Sequence, residues 1–482
     1  MQAQSQLPPR ETDEQSPKKS SAPTTATTTL PAAQTVVKFT RNKYTGRLQI
    51  QRQHEHQQQL RNNLLAFVGY LELANAGDFA ANVWNQIPVP RYAVVLMAIG
   101  GGMALLMSVF TLWDFQLGWR NVRLLRAERA RLHQAIDEHA YNNNSIHQRE
   151  KEAEDNNIRL HSRLGVNFRE LGTEVVDRLI MDALGGVSVL MIGTGTLMAI
   201  WGEESHTIFT TSNLLSGYLG NSLTLLFGLV NGIWSAYLVL RFRRLHVAAA
   251  VKSQQLVVQS RGVIHRCQVF ERHASINGVT GLVAGAAAMI TATRWWAYVI
   301  LIPCICSTIA FSHFWRWKIG YDRPLFWPLT QSQCPPPPPP LDEELSYVTD
   351  VVDALTSSNI SLPISVADTN SLPSMLDLIA RNSMFDAFCE WMIGNNKKLR
   401  ELILSMAAST TTTEEEKAMN NIIILAMDDL LKLDNNADML FAVCEFLRHV
   451  GRRIFVYRER YLSELVLYAT YYAETVDGWD AS

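Results

Sequence analysis

The 482-residue chain lacks the sequence marks of most enzymes. Its six cysteines, Cys267, Cys304, Cys306, Cys334, Cys389 and Cys444, form no CxxC pair and no zinc-like spacing. None of its 12 histidines stands in an HExxH or other ligand spacing, so no metal site is expected. Paired-carboxylate, His-box and nucleophile patterns are missing as well. The GTG of residues 193–195 sits inside an apolar run, with no preceding strand and no acidic partner, which excludes a phosphate loop. No enzymatic activity and no cofactor are expected. The first 35 residues have no apolar core, which excludes a secretory leader there, and their acids argue against a mitochondrial presequence. Scattered thiols suit a reducing compartment.

Long apolar runs almost free of charge are what the chain does have. Two of them, Leu179–Trp201 and Ser216–Leu240, flank a short link carrying Glu203 and Glu204. About 20 apolar residues in a helix span a hydrocarbon core of about 30 Å. Tyr92–Trp113 is a third such run, and Ile276–Trp315 divides at Arg294 into two more. The expected fold class is therefore all-α: a polytopic membrane domain with spans near 92–113, 179–201, 216–240, 276–293 and 296–315, followed by a C-terminal helical domain. Trp84, Trp113, Trp119, Trp201, Trp295, Trp296, Trp315 and Trp317 fall near span ends, as in an aromatic belt.

Charge orients these spans. Arg120, Arg123, Arg126, Arg129 and Arg131 follow the first; Arg241, Arg243 and Arg244 follow the third; Arg316, Lys318 and Arg323 follow the last. The positive-inside rule places these segments in the cytosol and the acidic link outside. Five spans then leave the N-terminus outside and the C-terminus inside. From about Ile146 to Glu174 a polar helix is expected to fold back on the one before it.

The remaining segments divide by composition. Residues 1–61 are expected to be a disordered tail, too polar to offset ordering entropy. Residues 62–84 carry Leu64, Leu65, Phe67, Val68, Leu71 and Leu73 at helical spacing, suiting either a surface-lying helix or a small helix packed on the membrane domain, within a membrane unit of 62–330. Residues 331–341 hold Pro335–Pro340, a stiff extended spacer. Residues 342–482 read as an acidic cytosolic helical domain: from 341 onward there are 11 Lys and Arg against 23 Asp and Glu. Helices are predicted over 397–408, 414–433, 437–450 and 452–474.

Few residues stand out as candidates for function. Asp182, Asn221 and Asn231 are polar groups inside predicted spans, where ionisable or amide side chains mark ion paths or helix contacts. If they serve one solute path, they should face a shared cavity. Gly228 with Gly232, and Gly281 with Gly285, form GxxxG pairs that allow close helix approach within the chain. The bilayer is the expected surrounding of the central third. A cytosolic protein is the expected partner of residues 342–482, and nucleic acid is not. The sequence leaves the oligomeric state open.

Residues 168–244, with FRELGTEVVDRLIMDALGG, GTGTLMAIWG, SNLLSGYLGN and NGIWSAYLVLRFRR, resemble uncharacterised multi-pass integral membrane proteins of filamentous fungi. The resemblance implies membrane embedding and no assigned activity, and so carries no functional residues. Two functions follow as expectations: a membrane-anchored interaction or scaffold protein, and a small-solute transporter or channel subunit.

Overall fold

The computed structural model describes residues 36–41, 48–50, 59–60, 68–84, 88–143, 150–253, 260–326, 339–357, 362–363, 366–395, 397, 400–401, 422–432 and 436–480. The expected disorder of residues 1–35 and most of the proline spacer lie outside them.

The described chain is mostly helical. Helix α3, Arg91–Asn143, starts with the first apolar run and continues through the arginine-rich segment. At about 1.5 Å per residue its 53 residues reach roughly 80 Å, far beyond a bilayer, so the polar half projects as a stalk. Helix α4, Glu150–Thr173, folds back along that stalk as the polar pattern predicts. A wide π-helical segment, Glu174–Ile180, leads into α5, Met181–Ala199. Helix α6, His206–Asn213, and a second π segment, Leu214–Gly220, precede α7, Asn221–Ser253. Helices α8, Ser260–Thr291, and α9, Ala297–Phe314, form the tight hairpin expected around Arg294, and a π segment, Trp315–Ile319, ends it.

Among the described residues four helical stretches are long and apolar enough to cross a membrane: those containing α3, α7, α8 and α9. The expected span at 179–201 corresponds to α5, which is not one of the four. It packs on α3, α6, α7 and the short helix α1, Val68–Asn75. The outer faces of the bundle are apolar and bare. Val95, Ile99, Leu106, Leu112, Ile233, Leu240, Val279 and Val299 are all exposed. So large an apolar surface suits hydrocarbon rather than water.

The N-terminal part departs from the sequence reading. Residues 36–41, 48–50 and 59–60 form strands β1, β2 and β3 rather than a disordered tail. Strand β1 pairs antiparallel with β2 and with a partner nearly 400 residues on, β5, Ile422–Ala426. Helix was predicted over 414–433. The run Ile422–Ile423–Ile424–Leu425 is β-branched and short, and apolar periodicity does not separate strand from buried helix in such a run. Strand β3 pairs with β4, Arg323–Pro324.

Residues beyond 340 form helices α10, Leu341–Thr356, α11, Leu372–Arg381, α12, Phe385–Asn395, α13, Met427–Leu431, α14, Asn436–Phe446, and, after a π segment, α15, Arg452–Asp480. They do not stand apart from the bundle. Helix α15 packs on α4, α7, α8 and α10, and one apolar cluster joins Phe242, Phe270 and Trp315 to Val348, Phe388, Phe446 and Tyr468. Cys389 lies inside this core, and burial pushes its thiol well above the ordinary cysteine value. A maleimide is therefore expected to label Cys389 only after denaturation; labelling of the native protein would contradict this core.

Candidate functional site

One wall of the bundle interior is a short helix tightened at a single turn. Helix α1 ends at Asn75, a 3-10 turn covers Ala76–Asp78, and α2, Phe79–Val83, completes the segment. It runs the length of the bundle core. Leu71 and Ala74 pack with Ala104, Met107 and Met181, while Ala80, Ala81 and Trp84 pack with Ala93, Met97, Ala199 and Ile200. Gly77 meets Gly100 of α3 backbone to backbone: a Cβ on Gly100 would lie 2.3 Å from the Gly77 carbonyl oxygen.

Polar side chains in an apolar interior must find hydrogen-bond partners on their neighbours. Asp78 accepts hydrogen bonds from the Tyr298 hydroxyl at 2.8 Å and from Asn82 at 2.8 Å. Asn221 lies at the margin of this cluster, 3.5 Å from Asp78 and from Thr291. One turn back, Asn75 donates to Thr224 at 3.2 Å, and Ser188 donates to the Gly220 carbonyl at 2.7 Å and stands 3.0 Å from Thr224.

Further along, a cavity with about 30 Å³ for water centres opens between the elements. That is room for about two waters, at about 10–15 Å³ each. Its lining includes Glu72, Asp177, Asn231, His273, Asn277 and Trp315. The π segments at 174–180 and 315–319 bring Asp177 and Trp315 to it. Asn277 donates to Asn231 at 3.1 Å. Glu72 is 7% exposed and hydrogen-bonds Thr308. Its Oε2, the Asp177 Oδ1 and the Trp315 Nε1 are buried and have no hydrogen-bond partner on the protein.

The three candidate polar residues thus do not share one cavity. Asn231 lines it, Asn221 joins the Asp78 cluster, and Asp182 sits by a third group. There Arg178 pairs with Asp114 at 2.5 Å and with Glu174 at 3.4 Å. Among the glycines, a Cβ on Gly228 would meet the Gly281 carbonyl oxygen at 2.5 Å, and one on Gly285 the Leu225 Cα at 3.0 Å. Gly232 faces Leu282. Both GxxxG pairs therefore lie at the α7–α8 contact of the same chain. Glu72 and Asp78 escaped the sequence reading because their segment is short and not continuously apolar. Four polar residues in it, Glu72, Asn75, Asp78 and Asn82, recur at spacings of three or four, which places them along one helix face.

A buried ionic clamp holds the projecting parts together. Arg323 pairs with Glu128 of α3 at 2.7 Å and with Glu170 of α4 at 2.5 Å, and Asn167 also donates to Glu128. Arg169 of α4 pairs with Glu464 of α15 at 2.8 Å, and Tyr321 donates to the same carboxylate. Burial opposes the charge on both guanidiniums. The carboxylates outweigh it and raise both above the ordinary arginine value. Among the described residues no group of three His, Cys, Asp or Glu is placed to hold a metal ion. No protein-family model, no curated protein and no solved structure matches the chain.

Proposed function

We propose that the protein is a multi-pass integral membrane protein that moves a small solute through the polar interior of its bundle. The carrying observation is the segment α1–α2, which buries Glu72, Asn75 and Asp78 on its bundle side while Tyr70, Leu73 and Phe79 stay exposed on its outer face. Ionisable and amide groups held inside a membrane bundle mark ion, proton and solute paths. Purified protein in proteoliposomes is expected to raise the flux of small cations above that of empty vesicles. Equal flux across a panel of cations and small polar solutes would remove this reading.

The strand pairings support a revised count of crossings. Strand β3 pairs beside the segment that follows α9, and Leu60 packs with Leu125 of the stalk. Trp84 lies at the opposite end, beside Ile200. The described residues 68–84 therefore make a crossing of their own, and with α5 the crossings among the described residues number six. Strand β1, paired with β5, then lies on the cytosolic side with the C-terminal helices. An epitope tag ahead of β1 and one after α15 are expected to react from the same side of sealed vesicles. The native sequon at Asn143 is expected to stay unglycosylated, and one placed near Glu204 to be modified. Tags on opposite faces would refute the six-crossing topology.

A membrane-anchored interaction protein is the second reading. Phe441 supports it, standing 69% exposed on α14 within the acidic C-terminal part. Proximity labelling that loses a reproducible cytosolic neighbour in Phe441→Ser would favour it.

A further inference from the structure

The cavity beside the α1–α2 segment carries a more specific assignment, which rests on the transport reading. Glu72 lines a cavity large enough for water, beside its hydrogen-bond partner Thr308, and its Oε2 is buried with no partner on the protein. Asp177 lines the same cavity and holds a second buried oxygen without a partner on the protein. The charged neighbours of Asp177 are Glu174 and Arg169. The other titratable groups facing Glu72 are His273 of α8, across the cavity, and Cys304 of α9. Among the described residues no arginine or lysine lines the space.

These features select among occupants. The volume admits water but not a hydrated metal cation. The donor set holds no three clustered acidic, histidine or cysteine side chains. An ionised carboxylate without a cationic partner is costly in apolar surroundings, and gaining a proton removes that cost. We propose that the ligand of this cavity is the proton: Glu72 accepts it at Oε2 from cavity water, and Asp177 relays it between that water and the α4 end of the bundle. The step is a plain acid–base exchange. A hydronium or protonated Asp177 gives up H⁺, the Glu72 carboxylate becomes a carboxyl, and the reverse transfer restores both. Placement supports the order of the relay, since Asp177 stands on the segment leading out to α4 while Glu72 stands in the core.

The test is pH-difference infrared spectroscopy of the full-length protein in vesicles, paired with a pH-dye assay of proton movement under an imposed potential. Wild type should show the carbonyl stretch of a protonated carboxyl; Glu72→Gln should remove it, and Thr308→Val should shift it while leaving the fold intact. Asp177→Asn should slow dye-reported proton entry at least tenfold and leave the Glu72 band in place. A band unchanged by both Glu72→Gln and Thr308→Val overturns the proposal. Erasure of the wild-type band by Na⁺ at fixed pH also overturns it, because a metal cation would then be the occupant. A normal Glu72 band in a protein with no solute flux retains the proton site and removes the transport reading alone.

Discussion

Arg323→Met is expected to destabilise the protein by about 3–5 kcal/mol, the usual cost of removing one partner from a buried ion pair. Arg323 is 3% exposed and joins three remote parts of the chain: the α3 stalk through Glu128, α4 through Glu170, and the segment after the last membrane helix. Without it two carboxylates stay buried with no cation between them. Thermal unfolding in detergent, followed by tryptophan fluorescence, should report the loss. The triple variant Arg323→Met, Glu128→Gln, Glu170→Gln should recover most of it, because no buried charge is then left unpaired. If the single and triple variants are equally unstable, packing rather than charge governs this junction. Arg169→Met should behave in the same direction, with α15 released from α4 and the C-terminal helices more open to protease.

The clamp marks where sequence pattern stops being informative. The apolar runs at 92–113, 216–240, 276–293 and 296–315 announce themselves because each satisfies its own backbone bonds and needs only lipid around it. The polar hairpin of α3 and α4 follows from local periodicity as well. What escapes is whatever depends on a distant partner. Strand β1 exists because Ile422–Ala426 lies beside it, and neither segment specifies the other in sequence. The pairing of Glu464 with Arg169 spans 295 residues. The C-terminal part reads as a separate acidic domain because its net charge is local. Its apolar faces, however, are completed by Phe242, Phe270 and Trp315 of the bundle. The same limit hid the α1–α2 crossing: Glu72, Asn75, Asp78 and Asn82 interrupt its apolar run, and their partners Thr308, Thr224 and Tyr298 lie on distant helices. Asn231 was legible as an intramembrane amide, but not the carboxylates it shares a cavity with.

Gly100→Leu should disrupt that crossing more than any other single change on α3. Gly77 and Gly100 touch through backbone atoms, so an added side chain meets a carbonyl oxygen that has no rotamer to change. Overpacking of this kind costs about 1–3 kcal/mol and sometimes more, and an entire Leu side chain against backbone belongs at the upper end. The neighbouring Gly102 has open space where its Cβ would lie, which makes Gly102→Leu the matched control: same helix, same substitution, no obstruction. Gly102→Leu should unfold within about 0.5 kcal/mol of wild type, as surface substitutions do. The pair also separates stability from function. If the α1–α2 segment forms the solute path, Gly100→Leu should lose flux at temperatures where it is still folded. Pushing α1–α2 away from α3 displaces Asp78 from Tyr298 and Glu72 from Thr308 together. Equal stability and equal flux in the two variants would mean that α1–α2 does not lie against α3 in the membrane, and both the six-crossing topology and the cavity at its centre would fall with it.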